Sequence, residues 1–174
     1  GNHLQSQFSD GTYERFGSDH RGLLAWMENR LGAITRFTHD AMGNCVRIDY
    51  PDGLFEQMGF DYLGRRIRHT DVRGGVTTWR WDRRNDVVYR QAPDGGELFI
   101  DRDAGRKITR MTEGGRSTQF EYGGMSWLIR RIDPDRAVTD YRYDLEGNVV
   151  NERNPRGQEQ HWRYDSEGNC VYLK

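Results

Sequence analysis

The sequence predicts an all-β fold, a tandem array of 21-residue β-hairpins making one extended, curved antiparallel sheet, and three observations carry that prediction. A turn position, most often glycine, recurs at 22, 43, 64, 85, 105, 126, 147 and 168, so that six of seven steps are 21 residues and one is 20. A second turn position at 11, 32, 53, 74, 95, 115, 136 and 157 keeps the same rhythm. Between the turns apolar and polar residues alternate, the period of a strand with one covered face. Two turns per period give one hairpin per repeat, and a lone hairpin cannot bury its own apolar face. The count allows up to 16 strands, and a sheet of that length curls with its own twist.

Along the chain, residues 1–15 form a partial first repeat and about eight repeats follow, a single array over 1–174. Residues 23–34, rich in Ala, Leu, Met and Glu, would suit a short helix. Their place in the register favours a strand. In the later repeats the first turn reads Asp-x-x-Gly, at Asp40–Gly43, Asp61–Gly64, Asp144–Gly147 and Asp165–Gly168. The aspartate can accept a bond from the backbone two residues on, and glycine supplies the positive φ. The second turn reads Pro-Asp-Gly at Pro51–Gly53 and Pro93–Gly95, and Pro-Arg-Gly at Pro155–Gly157. Asp133-Pro134-Asp135-Arg136 lacks the glycine, which predicts a looser turn or one of another type.

With the first turn residue counted as zero, position −6 holds Phe16, Phe37, Met58, Trp79, Phe99, Phe120, Tyr141 and Trp162. Position −4 holds Phe60, Trp81, Tyr122, Tyr143 and Tyr164, with Ser18 and His39 as weaker members. Position +3 holds Ala25, Val46, Ile67, Val88, Ile108, Ile129, Val150 and Val171. Stacked repeats align these into two aromatic columns and one aliphatic column. Position −5, with Arg80, Glu121, Arg142 and Arg163, takes the opposite, solvent face.

Composition narrows the function classes. Hydrophobic residues are 34% and charged residues 30% of the 174, which leans toward disorder, but aromatics are 12% and phased to the repeat. The 26 basic and 27 acidic residues are interspersed for a net charge of −1, which gives no global pull toward nucleic acid or an anionic membrane. No apolar stretch is long enough for a membrane-spanning helix, and this segment carries no signal peptide. The chain begins and ends on the repeat, as a fragment of a longer protein would. Cys45 and Cys170 lie six repeats apart, on the order of 50 Å along an open sheet, beyond the reach of a disulfide.

No catalytic, cofactor or metal site is expected. The turn aspartates Asp40, Asp61, Asp82, Asp101, Asp144 and Asp165 suggest calcium, and Asp101-Arg102-Asp103-Ala104-Gly105 comes nearest to a ligand loop. One pair of carboxylates falls short of six oxygen ligands, and turn chemistry accounts for every copy. His3, His20, His39, His69 and His161 occupy unrelated repeat positions with no partner at ligand spacing. Trp79-Arg80-Trp81 could stack sugars or bases, but the alternation puts both tryptophans on one face and favours packing. No nucleophile elbow or phosphate loop is present.

Tyr141-Arg142-Tyr143-Asp144-Leu145-Glu146-Gly147-Asn148 and Trp162-Arg163-Tyr164-Asp165-Ser166-Glu167-Gly168-Asn169 resemble the YD repeat of Rhs proteins. The resemblance spans about residues 8 to 174. Similar repeats occur in bacterial Rhs and wall-associated polymorphic toxins, in the B and C components of Tc toxins, and in teneurins. The resemblance implies a β-ribbon spiralling into a hollow shell that encloses a C-terminal toxin or other passenger, in an exported or cell-surface bacterial protein, type VI secretion being one route. It implies as partners the other repeats of the parent chain and the enclosed passenger; the expectation of no nucleic acid, no membrane span and no cofactor comes from the balanced charge, the lack of a long apolar stretch and the lack of a ligand cluster. Unpaired sheet edges would also permit self-association. An alternative is a repeat surface that binds glycans or a partner protein. The family's self-cleavage motif, Asp-Pro-x-Gly, has its nearest counterpart in Asp133–Arg136, whose fourth residue differs, so no catalytic residue carries over.

Overall fold

A computed structural model describes residues 3–7 and 13–173. The described residues form 17 strands and no helix. The chain divides into two compact units, Gly1–Gly96 and Glu97–Lys174. In the first unit β1 (His3–Gln7), β2 (Tyr13–Ser18), β3 (Leu24–Glu28), β4 (Ile34–His39), β5 (Cys45–Asp49), β6 (Phe55–Phe60), β7 (Arg66–Thr70), β8 (Val76–Trp81) and β9 (Val87–Gln91) make an antiparallel meander. The second unit repeats the plan with β10 (Glu97–Arg102), β11 (Ile108–Glu113), β12 (Arg116–Tyr122), β13 (Leu128–Ile132), β14 (Val138–Tyr143), β15 (Val149–Arg153), β16 (Glu159–Tyr164) and β17 (Cys170–Leu173). The all-β prediction holds. Strand β1, in the partial first repeat, takes the count one past the expected 16. Residues 24–28 are strand, as the register favoured over the helical composition.

Every described turn residue has φ between 55° and 92°, whether glycine or not. The four that are not glycine are Asn85, Arg106, Ser126 and Arg136, at φ of 65°, 70°, 65° and 67°. The predicted loosening at Arg136 is therefore corrected: Arg136 N–H bonds the Asp133 carbonyl at 2.9 Å and Asp133 N–H bonds Ala137 O at 2.9 Å, as in the glycine turns. A left-handed L-residue costs roughly 1–2 kcal/mol, partly offset by the smaller unfolded-state entropy of a non-glycine residue. Arg136→Gly should therefore raise unfolding stability by about 0.5–1 kcal/mol, read as a higher urea midpoint at unchanged slope.

Arg106 also corrects the frame of the fifth repeat. Its turn residue is Arg106, not Gly105, because Arg106 has the left-handed φ and donates to the Asp103 carbonyl at 3.0 Å. The missing residue lies in the next turn, where Gly114 and Gly115, at φ 55° and 77°, close a two-residue hairpin between paired Glu113 and Arg116. Position −6 of this repeat is then half-buried Ile100, and Phe99 points to the other face, 43% exposed. The turn aspartate is Asp103, while Asp101 is an exposed strand residue. Position +3 is Thr109 rather than Ile108.

The expected aliphatic column has a different role. In every first-turn hairpin the register slips between positions −5 and −4, as at Arg142/Tyr143. Tyr143 pairs with Val149 and Arg142 with Asn151, so Val150 is the extra residue of a β-bulge. Cores are thin. Among the described residues Tyr89, 6% exposed, is the one apolar side chain withdrawn from water, and the polar Thr139 and Asn151 are as deep. Stability in each unit rests on lateral contact between repeats.

Candidate functional site

The repeated turn and the columns beside it are where the recurring chemistry of the sequence is spent. Asp144 Oδ1 accepts the N–H of Glu146 at 3.1 Å and of Asn148 at 2.8 Å. Asp40 does the same for Met42 and Asn44, both at 2.9 Å, Asp61 for Leu63 and Arg65 at 2.9 and 3.0 Å, and Asp165 for Glu167 and Asn169, both at 2.9 Å. The second carboxylate oxygen is held by the residue after the turn: Asn44 Nδ2 at 2.9 Å, Arg65 Nε at 2.7 Å, Asn148 Nδ2 at 3.0 Å and Asn169 Nδ2 at 3.2 Å. The Asn or Arg that follows each glycine is thus a clamp on the aspartate. Only the spacing Asp-x-x-Gly-Asn could have hinted at it.

These bonds act on the charged form. The Asn44 amide holds the Asp40 carboxyl below the usual range, the Arg65 guanidinium does so for Asp61, and the Asn169 backbone and side chain do so for Asp165. A carboxyl whose pKa is lower in the folded chain adds stability above its unfolded value, about 3.9, and loses it as pH falls through the folded value. The urea midpoint should therefore be flat above about pH 5 and fall steadily below about pH 4. Asp40→Asn, Asp61→Asn and Asp165→Asn together should flatten that fall. Asparagine already does this work elsewhere, with Asn154 Oδ1 accepting Arg156 and Gln158 N–H, both at 3.0 Å.

A second set of contacts joins successive repeats. Tyr122, Tyr143 and Tyr164 donate their hydroxyls to the carbonyls of Ile108, Leu128 and Val149 at 2.9, 2.7 and 3.0 Å, and Trp81 Nε1 donates to Arg66 O at 2.9 Å. Each donor is at position −4 and each acceptor at +2 of the preceding repeat. That carbonyl sits beside the bulge, beyond the last pair of the ladder with the next strand, as Leu128 lies beyond Arg130–Asp140. A phenol or indole supplies the donor that the ladder does not. Phe60 holds the same position without a donor.

In several repeats the residue after the turn reaches the next turn. Arg65 Nη1 bonds Asp82 O at 2.7 Å and Asn85 Oδ1 at 3.0 Å, and Lys107 Nζ lies 3.4 Å from Ser126 Oγ. Leu23 approaches Gly43, and the Trp127 ring lies flush on Gly147, where an added Cβ would come within 2.9 Å of it. Trp127 also tilts against Tyr143 with centroids 5.2 Å apart.

The other predicted column residues are half-buried: Phe37 opposite Ile48, Phe120 opposite Arg131, Tyr141 opposite Glu152 and Trp162 opposite Leu173. Trp79 lies under the Arg66 guanidinium at 4.9 Å and Trp81 under that of Arg65 at 5.9 Å, while Arg80 turns to the other face and covers Tyr89 at 4.0 Å. Cations thus cover both tryptophans. On the apolar face His69 Nε2 meets Glu56 Oε2 at 3.0 Å, and the Tyr50 hydroxyl bonds Glu56 Oε1 at 3.2 Å, a polar cluster that no sequence spacing announced. Among the described residues no group of three or more His, Cys, Asp or Glu is placed to hold a metal, and both cysteines are free. Among the described residues no helix is long and apolar enough to cross a membrane.

An RHS Repeat family model matches residues 126–159, which span the β13–β15 hairpins and the Ser126, Arg136, Gly147 and Gly157 turns. A protein of Dickeya dadantii (strain 3937) named "Probable deoxyribonuclease RhsB" is 37% identical over 79 residues, covering 40% of this chain and 5% of that protein. The Photorhabdus luminescens Tc holotoxin pore matches over 94% of this chain and 10% of its own, with a TM-score of 0.74 at 12% identity. The crystal structure of TcdB2-TccC3-Cdc42 matches over 98% of this chain and 12% of its own, with a TM-score of 0.76 at 14% identity. At such identities the solved structures speak for the fold. The chain spans a small part of each of these relatives.

Proposed function

We propose that this chain, which is built of repeats of the Rhs/YD family, is a non-enzymatic wall segment of a β-shell that encloses a toxin or other passenger domain. On this reading residues 1–174 are one array of about eight repeats within a longer exported or cell-surface protein. The observation that carries it is the lateral tie between repeats: the −4 hydroxyls and the residues after the turns bond backward and forward along the chain. Such a sheet gains strength with every neighbour and holds an apolar column on one face, as a wall needs. The turn aspartates and glycines and the aromatic columns are its structural residues. The nuclease name of the Dickeya relative stays with that protein, of which the aligned part is 5%. Confinement is the mechanism: a passenger behind the wall is kept from solvent and protease. A longer form of the chain carrying its neighbouring repeats should co-purify with its passenger and protect it from trypsin. A passenger cleaved as fast as when free would end the proposal.

A second reading, a repeat surface for glycans or a partner protein, rests on Tyr62, which stands 79% exposed at a turn tip. Glycan-array binding lost in Tyr62→Ala would favour it over the wall.

A further inference from the structure

We propose that Asp52 and Asp94 are sites of spontaneous covalent modification, each converting to isoaspartate through a succinimide closed by the glycine that follows it. The second turns hold three aspartates in one geometry. Asp52, Asp94 and Asp135 each follow a proline, and each is exposed. Their Oδ1 atoms accept the N–H two residues on, from Leu54 at 3.1 Å, Gly96 at 2.9 Å and Ala137 at 3.1 Å. The residue after each has a left-handed φ, 85° at Gly53, 85° at Gly95 and 67° at Arg136. Its N–H donates to the carbonyl of the first turn residue, Tyr50, Ala92 or Asp133, at 3.1, 3.0 and 2.9 Å. The three sites differ in that successor: two carry glycine and one carries arginine.

That geometry prepares a ring closure. A bond from the carboxylate to the N–H two residues on folds the side chain forward, beside the intervening amide nitrogen. The Gly53 nitrogen then bonds to Asp52 Cγ. The Cγ–OH bond of the protonated carboxyl breaks, and the hydroxyl leaves as water with the amide proton. Water next adds to the succinimide. Opening at the Asp52 main-chain carbonyl breaks the original peptide bond and leaves the chain running through Cβ and Cγ, which is isoaspartate. Opening at Cγ restores aspartate. Asp94 and Gly95 follow the same steps, and water is the only co-reactant.

Glycine decides where this happens. Closing the ring swings the amide out of its turn, and glycine adopts the dihedral angles this asks for more readily than an L-residue does. The space is open as well, since a Cβ at Gly53 or Gly95 would meet nothing within 4 Å. At Asp135 the nitrogen carries the arginine side chain on its neighbouring carbon. The first-turn aspartates Asp40, Asp61, Asp144 and Asp165 precede Ala, Tyr, Leu and Ser, and both their carboxylate oxygens are held. A further Asp-Gly pair, Asp10-Gly11, lies outside the described residues. Conversion has a structural consequence. The added main-chain atom lengthens the loop between Tyr50 and Leu54, whose 2.9 Å bond from N–H to carbonyl closes the β5–β6 hairpin, and likewise the loop between Ala92 and Gly96, closed at 2.8 Å.

The test is prolonged incubation of the folded 174-residue chain at physiological temperature and pH, followed by peptide mapping with electron-transfer fragmentation, which tells isoaspartate from aspartate. Isoaspartate is expected at Asp52 and Asp94 at a level at least about tenfold above Asp135. Gly53→Arg copies the Arg136 turn and should remove the signal at Asp52 while leaving that at Asp94 unchanged. Arg136→Gly should create a signal at Asp135 within a few-fold of that at Asp52. This variant is expected to be the more stable chain, so its gain reports the Asp-Gly pair and not unfolding. Absence of isoaspartate from Asp52 or from Asp94, equal amounts at Asp135 in the unaltered chain, an undiminished signal at Asp52 in Gly53→Arg, or no gain at Asp135 in Arg136→Gly would overturn the proposal.

Discussion

Gly147→Ala is expected to lower the unfolding stability of the chain by about 3 kcal/mol, against about 1 kcal/mol for Gly53→Ala. Both glycines are left-handed, at φ 92° and 85°, so both substitutions bear the cost of an L-residue there. They differ in their surroundings. A Cβ at Gly53 meets nothing within 4 Å, whereas one at Gly147 comes within 2.9 Å of Trp127 Cζ2 and 3.1 Å of its Cε2. The Trp127 ring is wedged against Tyr143, so it has little room to retreat. Overpacking of that kind costs roughly 1–3 kcal/mol. Urea denaturation of the two variants gives the comparison. In the Trp127→Ala background, Gly147→Ala should cost no more than Gly53→Ala does. Equal costs in the wild-type background would show that the turns do not bear on one another.

Tyr122→Phe, Tyr143→Phe and Tyr164→Phe should each cost about 1 kcal/mol, and the triple variant about 3 kcal/mol. Each substitution removes one hydroxyl donor and leaves one carbonyl at a bulge without it. The three bonds tie different pairs of repeats in the second unit and share no partner, so their effects should add. In an array stability is a sum of repeat and neighbour energies, and these bonds belong to the neighbour part. The triple variant should therefore also broaden the transition, as the repeats unfold less in concert. Thermal and urea melts of the single and triple variants check both points. A triple variant as stable as the wild type would remove the hydroxyl ladder from the account.

Much of this was legible in the residues. The Asp-x-x-Gly turns, Pro-Asp-Gly turns and period-2 strands are local, decided by φ preferences and by bonds spanning two to four residues. The two columns at −6 and −4 followed once the period was known. The frame of the fifth repeat was not legible, because Gly105 stands one place before the turn residue Arg106 and glycine tolerates a left-handed φ without requiring one. Phe99 was therefore set in a column where Ile100 belongs. The wide exposure of Phe99 follows from that one-residue slip, which sends a side chain to the opposite face.

The sequence by itself determined the number of hairpins, the place of nearly every turn and the alternation of the strands, since each depends on a few adjacent residues. Only the tertiary structure decided where the bulges fall, which carbonyl each tyrosine reaches, and that Trp127 covers Gly147 rather than water. Those partners lie 14 to 20 residues apart, and which of them meet depends on the register between strands. Register is settled by the sum of cross-strand contacts over a whole hairpin, and no single residue announces it.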